Sequence, residues 1–425
     1  MHFRKTLPWL VLPACTLVFA CSDEPAGLDT EQLSPAFAKP TGGAGPSGTT
    51  AQVALGKLLF EDVNLSVKGN QSCKTCHEPG QGFAAAAPGV TTQGSVVQGS
   101  VSGRFGDRKP PSAAYAAFAP IFAASGNSAT GGNFWDGRAT GSVLGNPAAD
   151  QAMGPFLNPR EQALPDKACV LRRVQIAYGT QYAAAFGTTL AIPFPSNTVT
   201  ICSDDSYEQA GEYVELSSAQ RAAVNEAYSK VALAIATYEG SSEVSPFSSK
   251  FDRAQLDATE QLGAKLFGGK GKCQQCHENR GGKPIFSDFK YHNLGVPRNP
   301  ENPVYGTNGF DPGLGGFTGV ASHVGKFRTP TVRNAAEGGA NRTYMHNGSL
   351  TSLKQVVDFY NTRDVLPRCA ADKTDPARWG SYGGDSCWPA PEFGQNLDTK
   401  NMGNLGLTDA EVNAIVAYIT AMTDL

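Results

Sequence analysis

The sequence contains two Cys-x-x-Cys-His segments, at residues 73–77 and 273–277. In such a segment two thiols form thioether bonds to the vinyl groups of a haem, and the histidine becomes the proximal ligand of the iron. A zinc site and a thiol redox pair are the alternatives. Zinc does not require a histidine directly after each second cysteine, and redox motifs usually accompany a βαβ pattern. The sequence therefore predicts two covalently bound haem c groups, held by Cys73, Cys76, His77, Cys273, Cys276 and His277.

Each haem segment follows a similar apolar stretch. Leu-Gly-Lys-Leu-Leu-Phe occupies residues 55–60, and Leu-Gly-Ala-Lys-Leu-Phe occupies residues 262–267. In both copies apolar residues recur every three or four positions, which predicts an amphipathic helix followed by a Gly-containing turn. The chain therefore repeats one module. We predict a mainly α fold with two cytochrome c-like domains, one haem in each, and long loops.

The predicted domain boundary lies near residues 239–246, where Gly240, Ser241, Ser242 and Pro246 interrupt the helical patterning. This gives an N-terminal haem domain at 51–242 and a C-terminal haem domain at 243–425. Further helices are predicted at 220–238, 353–360 and 407–422. The last begins with Thr408 and Glu411 in a capping-box arrangement. Gly- and Pro-rich stretches between the helices are predicted as loops around the haems.

The beginning of the chain resembles an export signal. Basic residues precede an apolar stretch that is too short to cross a bilayer as a helix, and we place the signal peptide at residues 1–20. Cys21 follows in a lipobox-like context and is predicted to be acylated, with plain cleavage as the alternative. Residues 21–50 are rich in Pro, Gly, Ser and Thr and predict a flexible tether. A periplasmic, lipid-anchored protein is expected.

The remaining cysteines suit an exported protein. We predict disulfides between Cys169 and Cys202 and between Cys369 and Cys387, all in loop-like segments, with free buried thiols as the alternative. The formal net charge of -3 gives no indication of nucleic-acid binding.

Histidine is scarce in the first predicted domain, where none follows His77 until His277. Met153 is its one obvious methionine. The first iron is therefore expected to keep an open face for a small oxidant such as peroxide. The second iron has several candidate sixth ligands, among which spacing alone does not choose: His292, His323, Met345, His346, Tyr360 and Met402.

Four further blocks carry a resemblance. They are Phe-Trp-Asp-Gly-Arg-Ala at 134–139, Gly-Pro-Phe-Leu-Asn-Pro-Arg-Glu at 154–161, Phe-Arg-Thr-Pro-Thr-Val-Arg-Asn at 327–334 and Tyr-Met-His-Asn-Gly at 344–348. In this order around two haem motifs, the chain resembles the dihaem cytochrome c peroxidase and MauG family over most of residues 51–422. The resemblance implies that the N-terminal haem reacts with hydrogen peroxide. It also implies a low-spin C-terminal haem that takes or stores electrons.

The resemblance assigns roles to residues around the first haem. Trp135 matches the tryptophan that passes electrons between the haems; a buried aromatic side chain at the domain interface is the alternative. Glu161 and Gln151 match the polar residues over the open iron, with Pro155 between them. Glu161 is then the acid and base that moves a proton between the peroxide oxygens, while Gln151 orients peroxide or water. Without the resemblance, Glu161 is a solvated loop charge.

The resemblance also separates two subtypes. Where the peroxidases have a methionine as sixth ligand of the second haem, this chain has Tyr360, as MauG-like proteins do. A phenolate stabilises high-valent iron and lowers the reduction potential, whereas methionine raises it. The alternative for Tyr360 is a half-buried helix residue beside Phe359. Since the first domain lacks a distal histidine, activation by prior reduction is expected to be unnecessary. His292 is expected to be structural.

One departure from the family concerns calcium. The family binds this ion through an asparagine and two backbone carbonyls, but Lys109 replaces the asparagine here, and the carbonyl positions are Asn341 and Thr343. An ammonium group does not ligate a cation and can instead donate to those carbonyls. We predict that no calcium binds at this site.

Three functions are compatible with these features. The first is a MauG-like enzyme that reacts with peroxide and oxidises tryptophan or tyrosine residues of a partner protein through high-valent haem iron. The second is a peroxidase that reduces hydrogen peroxide to water with electrons from a small redox protein. The third is a dihaem electron carrier, which requires six ligands on both irons and leaves Glu161 and Gln151 without a role.

Overall fold

The computed structural model describes residues 48–86, 89–279, 281–305, 309–338 and 342–425. The predicted signal peptide, Cys21 and residues 21–47 of the predicted tether lie outside these ranges. In the described part of the chain, no helix is both long enough and apolar enough to cross a membrane.

Helices dominate the regular structure of the described residues. The α-helices are α1 Thr50–Glu61, α2 Cys73–Cys76, α3 Pro147–Ala152, α4 Lys167–Phe186, α5 Thr198–Ile201, α6 Ser218–Glu239, α7 Ala258–Gly268, α8 Leu314–Thr318, α9 Leu353–Thr362 and α10 Asp409–Thr420. Short 3₁₀ helices are Val63–Leu65, Pro79–Gln81, Ala116–Phe118, Cys273–Gln275, Ala321–His323 and Pro376–Arg378. The strands are β1 Thr92–Gln93, β2 Val96–Val97, β3 Ala123–Ser125, β4 Ser128–Thr130, β5 Tyr291–His292 and β6 Phe327–Arg328, in three antiparallel pairs. The mainly α prediction is confirmed.

The duplicated stretches form α1 and α7, and each begins with a capping box that satisfies the first free backbone N–H groups. α1 packs on α6, and α7 packs on α10. Both crossings occur at the glycine that the repeat shares. A Cβ atom at Gly56 would lie 2.0 Å from the carbonyl oxygen of Ala234, and one at Gly263 would lie 2.0 Å from that of Ala414. The repeat therefore encodes the same close helix crossing twice.

Replacing Gly263 with alanine is expected to destabilise the protein, because the new methyl group meets backbone and cannot move away. Overpacking of this kind costs about 1–3 kcal/mol or more. Gly179→Ala is the matched control, since Gly179 is also in a helix but has open space around its Cα, and alanine there gains about 0.5–1 kcal/mol of helix stability. Thermal unfolding of both variants, monitored by circular dichroism, tests these two expectations. An unchanged unfolding temperature for Gly263→Ala contradicts the packing argument.

Two separate clusters of buried apolar residues flank the predicted boundary. The first lies among α1, α3, α4 and α6. Its central helix, α6, is buried on all sides over its second half, as expected for a helix inside a core. The second lies among α7, α9 and α10. All described residues belong to one compact unit, so the division at residues 242 and 243 stays a prediction.

A buried ion pair crosses that predicted boundary. The Arg108 guanidinium bonds to Asp136 at 2.6 Å and to both oxygens of Asp311 at 2.6 and 2.7 Å. The Asp311 carboxylate is buried, so the bidentate pair is shielded from water and stronger than a surface pair. Burial opposes charge on Asp311, yet the Arg108 guanidinium holds its pKa below the usual range. The pair therefore links the two halves of the fold.

The structure confirms the predicted helices at 220–238 and 353–360, and α10 lies inside the prediction at 407–422, with the Thr408 and Glu411 capping box. It differs elsewhere. α4 was not predicted, because its apolar and polar residues alternate without a clear face and its backbone departs from helical geometry at Tyr178. The β3–β4 hairpin occupies part of a stretch predicted as loop.

The structure joins Cys169 to Cys202 and Cys369 to Cys387. The prediction that all four cysteines lie in loops was wrong for Cys169, which lies in the first turn of α4. Cys202 ends the short helix α5. Cys169 is fully buried, so this disulfide fastens α5 to the first core.

Candidate active site

The first haem segment is held close to the α1–α6 pair. α2 carries Cys73 and Cys76, and His77 ends it. The Nδ1 atom of His77 donates a hydrogen bond to the carbonyl of Phe83 at 2.9 Å, which leaves Nε2 as the free imidazole nitrogen. Burial lowers the pKa of His77, so the imidazole is neutral, the form that ligates metals.

The second haem segment repeats this arrangement. Cys273 begins a 3₁₀ turn, and the Nδ1 atom of His277 donates to the carbonyl of Phe286 at 3.0 Å. Phe286 is fully buried in the second core. A fixed Nδ1 hydrogen bond sets the tautomer and orientation of a ligating histidine. Both predicted proximal histidines are therefore oriented in the same way.

A cavity lies over each segment. The N-terminal cavity encloses about 1150 Å³ of empty space, partly open to solvent, and is lined by Cys73, Cys76 and His77. The C-terminal cavity encloses about 1720 Å³ and is lined by the corresponding residues of the second segment. The four cysteines form no disulfide. Paired thiols beside an oriented imidazole in a large cavity fit a haem c in both places.

The residues predicted to act on peroxide lie together. Gln151 at the end of α3, Pro155 and Glu161 all line the N-terminal cavity. Asn158 donates to Glu161 Oε1 at 3.0 Å, which orients the carboxyl. Burial raises the pKa of Glu161 to about 7, despite the opposing charge of Arg138. A carboxyl with such a pKa both accepts and donates protons near neutral pH.

A second carboxyl with a raised pKa lines the same cavity and was missed by the sequence analysis. Glu239 is the last residue of α6, is 4% exposed, and has its pKa raised to about 8 by burial. Burial raises the pKa of the Cys73 thiol, and the nearby Glu239, Cys76 and Glu161 raise it further. The sequence offered one signal for this residue: a charged side chain ends a helix whose preceding turns are mostly apolar.

Trp135 lies in the wall between the cavities and lines both. Its indole Nε1 donates to the carbonyl of Lys109 at 2.8 Å, and its own carbonyl accepts from the backbone N–H of Arg328 at 2.9 Å. The His346 ring lies 6.5 Å away, edge to face. The indole is therefore fixed at both its side chain and its main chain.

The candidate sixth ligands of the second iron separate into two groups. His323 lines neither cavity, and its Nδ1 pairs with Thr318 Oγ1 at 3.0 Å. The others line the C-terminal cavity: His292, Met345, His346, Tyr360 and Met402.

The two histidines in this group have other contacts. His292 lies 3.5 Å from a carboxylate oxygen of Asp288. The His346 ring stacks on Phe327 at 3.5 Å and lies 3.4 Å from Glu392. Met345, Tyr360 and Met402 remain as the simpler candidates.

Tyr360 lies in α9, where the pattern of the sequence predicted a helix. Burial raises the pKa of its phenol, and the nearby thiols of Cys276 and Cys273 raise it further. A phenol in this environment loses its proton only to a strong cation such as ferric iron. The neighbouring Phe359 is fully buried in another apolar cluster. Tyr360 is partly buried and packs against the same cluster, so the alternative of a half-buried packing role is also compatible with its position.

The N-terminal cavity offers fewer ligands. Among the described residues that line it, His77 is the one histidine and no methionine occurs. Met153 does not line it, and its carbonyl accepts from Tyr228. These lining residues provide one imidazole ligand, and Gln151 and Glu161 are polar residues of the same cavity.

Lys109 is buried, but its acceptors differ from those expected. The ammonium group donates to the carbonyls of Ala84 and Pro110. Asn341 lies outside the described residues, and Thr343 lines the C-terminal cavity without a bond to Lys109. A buried cation at this position does not fit a calcium site. The absence of calcium stays a prediction.

Comparison with known proteins identifies the family. A sequence model described as di-haem cytochrome c peroxidase matches residues 50–261. The methylamine utilization protein MauG of Paracoccus denitrificans is 32% identical over 393 residues, which cover 88% of this chain and 89% of that protein. The chain belongs to the di-haem cytochrome c peroxidase and MauG family.

Other members of this family are similar over most of the chain. The cytochrome c551 peroxidase of Nitrosomonas europaea is 28% identical over 312 residues, which cover 72% of this chain and 71% of that protein. The crystal structure of the diheme peroxidase BthA from Burkholderia thailandensis superposes with a TM-score of 0.65 and 27% identity, covering 94% of this chain and 89% of that one. The predicted family and fold class are confirmed, and the chain is an oxidoreductase of the dihaem peroxidase class.

Proposed function

We propose that this protein reacts with hydrogen peroxide in the N-terminal cavity and oxidises residues of a partner protein, as a MauG-like enzyme. The observation that carries the proposal is Tyr360, which lines the C-terminal cavity together with Cys276 and His277. An oxygen anion as sixth ligand favours the oxidised states of iron, whereas a thioether disfavours them. A C-terminal haem with this ligand suits storage of oxidising equivalents better than rapid electron uptake.

The haems, when bound, supply the reaction with peroxide and hold its oxidising equivalents. The chain supplies the proton transfer. Gln151 binds and orients peroxide, and Pro155 contributes no polar side chain to the same wall. The Glu161 carboxylate accepts a proton from one peroxide oxygen and donates it to the other, so the carboxylate is regenerated. Its pKa of about 7 suits both halves of this transfer.

Trp135 is proposed to carry electrons between the cavities. It lines both of them, and its indole Nε1 and carbonyl are each held by a hydrogen bond. A fixed orientation of the indole keeps constant the distance and the orbital overlap on which electron transfer depends. The interface-filling role of a buried aromatic side chain is compatible with this position.

A cytochrome c peroxidase is the second candidate, and one observation favours it. Met402 is 3% exposed and lines the C-terminal cavity beside Tyr360, so a thioether ligand is available for the second iron. Electrons would then come from a small redox protein. A dihaem electron carrier has less support, because the described lining of the N-terminal cavity offers no second imidazole or thioether ligand.

Stoichiometric peroxide added to the oxidised holoprotein distinguishes the candidates. We expect a change in the visible spectrum that persists long after mixing and disappears when a protein with exposed tryptophan or tyrosine is oxidised. Stopped-flow absorbance and mass spectrometry of that protein provide the readouts. Immediate return to the resting spectrum with consumption of reduced small cytochrome favours the peroxidase. No spectral change contradicts both enzymatic proposals.

We also propose where the protein acts. The haem domains at 51–242 and 243–425 lie on the periplasmic side of a membrane. Residues 1–20 are removed, Cys21 is acylated, and a tether extends from there to residue 50. Haem attachment to the four motif cysteines and the two disulfides agree with an oxidising compartment.

A further inference from the structure

The wall between the two cavities contains two buried cations. Lys109 is 5% exposed, and Arg328 is 9% exposed. Both line the N-terminal and the C-terminal cavity. Arg328 ends β6, and Lys109 precedes the proline pair at 110–111.

Neither cation has a carboxylate partner within the described ranges. The Lys109 ammonium donates to two backbone carbonyls, and the Arg328 guanidinium donates through Nε to the carbonyl of Phe134 at 3.4 Å. Arg108, which lines the N-terminal cavity alone, differs from these two residues because it has carboxylate partners. Its side chain is 10% exposed, and it bonds to Asp136 and Asp311.

A buried charge without an opposite charge is unfavourable by several kcal/mol. Burial accordingly lowers the pKa of both Lys109 and Arg328, and the charge of Arg342 lowers that of Lys109 further. Carbonyl oxygens satisfy some of the N–H groups but do not neutralise the charge. An anionic group that enters the cavities would stabilise both charges.

The proposed haems bring such anions, because each carries two propionate carboxylates at one edge of the ring. We propose that Lys109 and Arg328 bind propionate carboxylates of the two haems where the cavities meet. The proposal rests on the occupation of both cavities by haem. A guanidinium matches a carboxylate in charge and in bidentate geometry, and an ammonium acts as a point charge.

The same two residues hold Trp135. The Lys109 carbonyl accepts from its indole Nε1, and the Arg328 backbone N–H donates to its carbonyl. Propionate binding therefore orders the residues that position the indole between the haems. The two positive charges also stabilise an added electron on either haem, and so raise both reduction potentials.

Arg328→Gln and Lys109→Met remove one charge each with little change in volume, and both are compared with the intact holoprotein. We expect the reduction potential of at least one haem to fall in each variant. The expected shift is about tenfold in the equilibrium constant for reduction, or 59 mV for one electron. Spectroelectrochemical titration measures it. Arg253→Gln, which removes an exposed cation, is the matched control and leaves both potentials unchanged.

Arg328→Lys keeps the charge and is expected to recover most of the potential, which a purely structural role would not explain. If Arg328→Gln does not fold, the potentials of Arg328→Lys and Lys109→Met together test the proposal. Mass spectrometry of the intact wild-type protein first counts the haems. Fewer than two haems overturns the proposed function and this inference together. If the protein carries two haems but the reduction potentials are unchanged in Arg328→Gln or Lys109→Met, only this inference is overturned.

Discussion

Replacing Glu161 with glutamine is expected to slow the reaction with peroxide by about 10²–10⁴-fold while both haems stay attached, because an amide does not transfer the proton. The substitution preserves shape, so the contact with Asn158 at 3.0 Å can persist. Stopped-flow absorbance gives the rate, and the pyridine haemochrome spectrum gives the haem content. A wild-type rate in this variant contradicts the assigned role.

The pH dependence gives an independent check on the same residue. Burial raises the pKa of Glu161 to about 7, so the carboxyl is mostly protonated below that pH and mostly ionised above it. Because the ionised form accepts the proton from peroxide, the wild-type rate should rise through about pH 7. Glu161→Gln should remove this rise.

Glu239→Gln is the informative comparison, because Glu239 lines the same cavity and burial raises its pKa to about 8. If the proton transfer belongs to Glu161, Glu239→Gln keeps the rise in rate near pH 7. Loss of that rise in Glu239→Gln, with its retention in Glu161→Gln, would assign the proton transfer to Glu239 instead.

Replacing Tyr360 with methionine is expected to raise the reduction potential of the C-terminal haem by on the order of 100 mV or more, within the range of ~0.8 V that axial ligands control. The anionic oxygen ligand is lost and a neutral thioether takes its place. The variant should also lose the long-lived product of peroxide addition. Potentiometry and electron paramagnetic resonance of the ferric protein measure the change.

Tyr344→Phe is the matched control for Tyr360. Tyr344 lines the same cavity, but its hydroxyl donates to the carbonyl of Ala335 at 3.0 Å. Its replacement should leave the C-terminal haem signal unchanged. Tyr360→Phe, which offers no ligand atom, should alter the signal without supplying a thioether. If Tyr360→Phe keeps the wild-type spectrum and potential, another residue such as Met402 is the sixth ligand.

Much of the local structure followed from short-range patterns. The repeated Leu-Gly stretches predicted α1 and α7, and the Thr408 capping box predicted the start of α10, because a helix depends on residues three and four positions apart. α4 and the β3–β4 hairpin were missed. The apolar residues of α4 follow no clear helical face, and the strands of the hairpin are only three residues long and mostly exposed, so neither element has a clear apolar periodicity.

The sequence by itself determined the haem attachment chemistry and the duplication, because the two thiols and the histidine of each motif are adjacent in the chain and need no fold to be recognised. It also supplied the resemblance that singled out Glu161 and Tyr360. The tertiary structure alone decided that Glu239 joins the N-terminal cavity and that Lys109 and Arg328 meet around Trp135. These residues are far apart in sequence. Their ionisation and partners depend on burial, which exists only once the chain has folded.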